Sequence, residues 1–188
     1  MPDQPVDDNA LLAQECALDA RAYLTTVTEV ASGVAPDSAI PYCLLALAQI
    51  QLTGARLGAI ADVVPEQRFE TDPGPDVELD PLRAGIAQLF EGLDDYADVV
   101  DPVMSAELTS GSLSNDLTVI AGALTHGLAH YDAGRSDEAL WWWQFSYLSD
   151  WGERAAMAIR VLQSLLAHLR LDADEDVVAE AEFDALNR

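Results

Sequence analysis

Lysine is absent from this 188-residue chain, and all nine of its basic residues are arginines. Against them stand 33 acids, for a formal net charge of −24 at pH 7. That balance repels a phosphate backbone and an anionic bilayer. It argues against direct nucleic-acid binding and against a membrane partner. It permits high solubility, a basic protein partner, or association with cations. Cysteine is scarce too. Cys16 and Cys43 fall in apolar helical patterns. In a helical hairpin turning near Pro36 they would stand roughly 16 Å apart along the axis, beyond disulfide reach. Both read as reduced core residues. No charged segment followed by an apolar one opens the chain, as it would in a signal peptide. No run reaches about 18 uninterrupted apolar residues. The expected location is the cytoplasm.

Other absences narrow the chemistry. The chain contains no Gly-x-Gly-x-x-Gly, phosphate loop, Gly-x-Ser-x-Gly or His-Glu-x-x-His. Neither cysteine has a neighbour that would activate it. No alternating apolar–polar stretch of useful length is visible, so strands are not expected. No cofactor is expected.

What remains is helical pattern. Half the residues are hydrophobic, enough for a folded core. The reading is an all-α bundle of about five to seven helices, a single domain over 9–188 behind a disordered N-terminus at 1–8. Helices are expected at about 9–32, from Ser38, at 81–92, at 115–133 behind a Ser114 cap, and at 173–187. The second is apolar nearly all round, the mark of a central helix. Residues 63–80, rich in proline and acid, read as a loop. Residues 93–111 read as short helical turns broken by Pro102 and Gly111.

The longest helix is expected at about 137–170. It holds all four tryptophans: Trp141, Trp142, Trp143 and Trp151. Trp141, Phe145, Leu148, Gly152, Ala155, Ile159, Leu162, Leu166 and Leu169 recur at four-three spacing, a core-facing seam. Ser136 is placed to cap it, after Gly134 ends the preceding helix. A kink is expected at Gly152, where glycine weakens a helix. Trp142 stands in the opposite, mostly polar row. It is either covered by another segment or a contact for a partner.

Two further constellations bear chemistry. His126 and His130 are one helical turn apart, the spacing that can hold a metal ion, with Asp132, Asp150, Glu153 or His168 as a third ligand. Paired acids are frequent, as a chain of this charge requires, and carry little meaning alone.

Residues 113–170 resemble the DUF5063 family of uncharacterised bacterial, mainly actinobacterial, proteins. The matching pieces are SNDL at 114–117, GL and YDAGR within 127–135, EALW-W-FS within 138–146, and WG at 151–152. The leucine-rich second helix and DYADVVDP at 95–102 are similar as well. The resemblance implies an all-helical cytoplasmic protein with no established activity. It also implies a polar set on the fourth and the long helix, much altered in this chain. Asp116 remains, but Val119, Ala121, Gly122 and Ala123 follow it. Trp142 and Gln144 stand in place of charged residues. Asp150, Glu153 and Arg154 stand where a His-Trp-Gly-Arg-His pattern is expected. Asp116, Asp150, Glu153 and Arg154 are therefore the candidate polar cluster. A weaker likeness, of AHYDAGRSDEALWWW to a tetratricopeptide turn, has no repeat to support it.

The leading expectation is a non-enzymatic acidic helical protein that binds another protein through Trp142 or its acidic surface. The alternatives are a metal-binding or carboxylate-dependent enzyme in a helical bundle, and an acidic decoy of a DNA-binding protein.

Overall fold

The computed structural model describes residues 8–65, 72, 74, 77–101 and 103–171. These are mostly helical, with one small sheet. Helix α1 (Asp8–Ala31) is followed by a 3-10 turn (Pro36–Ser38) and α2 (Ala39–Ala59). Then come α3 (Asp80–Leu89), strands β1 (Asp95–Asp101) and β2 (Ser105–Ser112), and α4 (Leu113–Asp132). Helix α5 (Ser136–Ser146) continues through a π-helical turn (Tyr147–Trp151) into α6 (Gly152–Leu171). Most of the expected loose N-terminus, much of the acidic loop, and the helix expected at 173–187 lie outside the described residues.

Helix α4, not α2, is the centre of the bundle. It packs against α1, α3, α5 and α6. Leu113, Leu117, Ile120, Ala121 and Leu124 are all buried on it. Helix α2 packs on α1 and α6 and leaves Tyr42, Leu45 and Leu52 exposed. By length and composition alone, Pro36–Ala59 would also suffice to cross a membrane. Apolarity all round therefore did not mean burial all round. Helix α1 faces the core with Ala13, Ala17, Ala20, Tyr23 and Val27. The Tyr23 hydroxyl donates to the Leu117 carbonyl at 2.9 Å, which satisfies a phenol that the core would otherwise penalise. Cys16 and Cys43 are buried and free, and burial pushes both thiols up to about 12. Protonated at neutral pH, they behave as small apolar residues.

The expectation of helical turns across 93–111 is overturned. This segment is an antiparallel hairpin in which Tyr96 pairs with Gly111 and Val99 with Leu108. An isolated two-stranded hairpin is marginal in water. Here Asp94 anchors it. The Asp94 carboxylate accepts from the Ser114 amide at 2.7 Å and from the Ser112 and Ser114 hydroxyls at 2.8 and 2.7 Å. It places a negative charge against the free amides of the α4 N-terminus. The cap of α4 is Ser112, which accepts from the Asn115 amide at 3.3 Å, rather than Ser114. Nor does Ser136 cap the long helix. It is already helical, behind Arg135, which makes no side-chain cap bond. Gly134 does close α4, at φ 78°.

The long helix is broken by the π turn, just before Gly152. The seam expected for it holds only over the first part of α6, where Gly152, Ala155 and Leu162 are buried, and fails again at Leu169, which is exposed. Before it, Leu140, Trp143 and Gln144 face the core, and Phe145 and Leu148 are 52% and 63% exposed. One extra residue in a turn rotates the two halves by about 100° relative to each other, which moves the buried row by one position. Gly152 permits this. Its amide bonds to the Tyr147 carbonyl, and a Cβ there would approach that oxygen to 2.6 Å.

Candidate functional site

Two adjoining cavities open along α4 and the broken helix. The first, of about 480 Å³, is an aromatic groove. Its floor on α4 is Val119, Gly122, Ala123 and His126, and its wall on α5 is Trp142 and Phe145. Leu79 and Val77, ahead of α3, close one side. Trp142 is neither fully covered nor free. Its indole nitrogen donates to the Ala123 carbonyl at 3.1 Å, and its ring lies 4.0 Å from that of His126. Phe145 stacks on Trp141 with ring centroids 5.5 Å apart and remains half exposed. Gly122 keeps the floor low, since a Cβ there would meet Leu79 at 3.2 Å.

Neighbouring aromatics are structural. Trp143 is buried and donates to the Leu124 carbonyl at 3.2 Å, its ring lying where any side chain on residue 127 would be. The buried Trp151 donates to the Ser146 hydroxyl at 3.0 Å. Gln144, between the rings, is a clamp. It donates to the Leu57 carbonyl at 2.8 Å and accepts from the Val63 amide at 2.9 Å. It thus ties the chain leaving α2 to α5.

The second cavity, about 380 Å³, is polar. Asp116, in the first turn of α4, is buried there. One carboxylate oxygen accepts a very short hydrogen bond from the Tyr96 hydroxyl, and the other pairs with the Arg154 guanidinium at 2.9 Å. Arg154 also reaches Asp150 at 2.6 Å, one turn earlier on the same helix. Burial raises the pKa of Asp116, and the Tyr96 and Arg154 hydrogen bonds pull the other way without cancelling it. Burial also raises the phenol of Tyr96, reinforced by its bond to Asp116, so it stays protonated and donates. Burial works against the charge of Arg154, but Asp150 and Asp116 outweigh it and hold the guanidinium charged.

All four residues of the expected polar cluster, Asp116, Asp150, Glu153 and Arg154, line this one cavity. Asp116, Arg154 and Asp150 form a continuous chain of ion pairs, whereas Glu153 stands exposed at the rim. Ser149 and Asp150 line both cavities and join them. No sequence pattern marks Tyr96, which reaches the cluster because it pairs with Gly111. A Cβ on residue 111 would fall 2.2 Å from the Tyr96 ring. The signal was faint: one tyrosine and one glycine, linked only by a strand register.

The two histidines part company. His126 lines the aromatic groove, whereas His130 is buried with Nδ1 accepting from Arg135 at 3.3 Å. Their rings lie 5.3 Å apart. Among the described residues, no group of three or more His, Cys, Asp or Glu is placed to hold a metal ion. Asp132, one suggested third ligand, pairs instead with Arg21.

Comparison with solved structures finds the same fold in protein BF1032 from Bacteroides fragilis. The TM-score is 0.64 and the identity 18%, over 85% of this chain and 92% of that one. No curated protein matches the chain. A family model matches residues 7–168, from α1 to near the end of α6. On that match the chain belongs to DUF5063, a domain of unknown function.

Proposed function

We propose that this protein is a non-enzymatic acidic helical module that binds another protein through the aromatic groove. The observation that carries the reading is Trp142. A tryptophan in an otherwise polar helical row is held at its nitrogen by Ala123 and backed by His126, beside a half-exposed Phe145. A large rigid ring already fixed in a groove loses little entropy when a partner covers it, which is why such residues dominate interfaces. The test is capture of binding proteins by the full chain and by Trp142→Ala. Loss of a specific partner with the variant is expected. Recovery of the same partner in the same amount would remove Trp142 from the interface.

A second reading, a carboxylate-dependent enzyme, draws on one observation. Asp116 is a buried acid of raised pKa, hydrogen-bonded to a phenol and a guanidinium in an open cavity. Buried groups of this kind serve catalysis in some proteins and architecture in others. Here both oxygens of Asp116 are engaged, and the hairpin depends on one of them. The architectural role is favoured. Turnover of any compound that is lost in Asp116→Asn, with the fold intact, would reverse that order.

A further inference from the structure

We infer that the partner docks a segment carrying an apolar side chain close in sequence to an arginine or lysine. This inference rests on the protein-binding reading above and adds the chemistry of what is bound. Three observations combine. The groove and the polar cavity adjoin across Ser149 and Asp150, so a segment seated in the first reaches the rim of the second. The groove offers Val119, Trp142 and Phe145 to an apolar anchor, and among the described residues its one acidic lining residue is Asp150, at the end that meets the polar cavity. Among the described residues the polar cavity is lined by Asp95, Asp98, Asp116, Asp150 and Glu153, with Arg154 the only basic one.

The charge argument decides the class. Arg154 pairs with both Asp116 at 2.9 Å and Asp150 at 2.6 Å, one positive charge against two carboxylates, and Asp95, Asp98 and Glu153 keep the rim acidic. An acidic or phosphorylated segment would bring like charges together there, and a neutral one would leave the rim uncompensated. A basic side chain gains on both counts. The net charge of −24 adds long-range attraction for such a partner, and that attraction weakens with salt. Neither half suffices alone: the groove selects an apolar anchor, and the rim selects the basic neighbour and fixes direction.

The experiment is selection of random short peptides displayed on phage against the full-length protein. Selected peptides are then synthesised and titrated against the wild type, Trp142→Ala, and the rim variant Asp150→Asn with Glu153→Gln. Circular dichroism checks that each variant is folded. Selected peptides are expected to pair an aromatic or aliphatic residue with arginine or lysine. Trp142→Ala should abolish detectable binding. The rim variant should weaken it about fivefold at low salt, with the difference shrinking at high salt. Selection of peptides without basic residues, selection of none, or affinity indifferent to the rim variant would overturn the basic-segment inference. Should Trp142→Ala still abolish capture of a natural partner, the protein-binding reading would survive that result. Peptide and partner binding both indifferent to Trp142→Ala would end both.

Discussion

The two cavities share a wall yet are built on opposite terms. In the polar one, three elements are tied together by an ion pair and a phenol hydrogen bond on one carboxylate. Asp116 of α4 holds Tyr96 of the hairpin and Arg154 of α6 at once. In the aromatic one, Trp142 and Phe145 sit against α4 through rings and a single indole hydrogen bond, and Phe145 remains half exposed. The difference teaches where the molecule spends its buried polarity. The polar cluster joins three elements, the hairpin, α4 and α6, whereas the groove leaves an aromatic surface partly open.

Substitutions can break or sharpen this contrast. The largest effect is expected from Asp116→Ala, which strips Tyr96 and Arg154 of their acceptor. Because Arg154 is partly exposed and can turn to solvent, the loss of stability should be about 3 kcal/mol, at the low end for a broken buried pair. Chemical denaturation measures it, and a loss near zero would show the cluster to be dispensable. Gly111→Val comes next. It drives a side chain into the Tyr96 ring and should cost about 2 kcal/mol, with hairpin amides exchanging faster than those of α4. Trp142→Ala should cost only about 1 kcal/mol, since the ring is partly exposed already. If it cost as much as Asp116→Ala, the groove would be as structural as the polar cavity and the contrast would fail.

The smallest effect is a pH trend. Asp116 holds its proton more tightly in the folded chain than at the ordinary value of 3.8 in the unfolded one. Its contribution to stability is therefore full below 3.8 and is lost as pH rises through the raised folded value. Across that window, wild type should gain stability relative to Asp116→Asn as the pH falls. Paired denaturation curves check the sign. A wild type that loses ground to the variant would mean that the Arg154 pair outweighs burial.

Much of this was legible in periodicity. The presence of α1 and α4, the closing Gly134 and the mostly helical frame follow from local pattern, because helix faces repeat within a few residues. The hairpin was not legible. Val99, Val100 and Thr109 favour strands, but its register is set by Tyr96 against Gly111 and by the grip of Asp94 on α4, contacts that periodicity does not encode. The π turn was half legible. Gly152 marked the weak place, yet the single-residue shift that turned Phe145 outward depends on how α5 and α6 each pack.

By itself, the sequence determined the helical class, the acidic character and the family, since each is written in composition, spacing or short local words. Only the tertiary structure decided that α4 rather than α2 is central and that Tyr96 joins Asp116. It alone showed that Trp142, in a mostly polar row, lines a groove and packs on His126 and Ala123. Those outcomes depend on residues far apart in the chain meeting across helices and strands. Which face of an apolar helix is covered is a property of its neighbours, not of the helix.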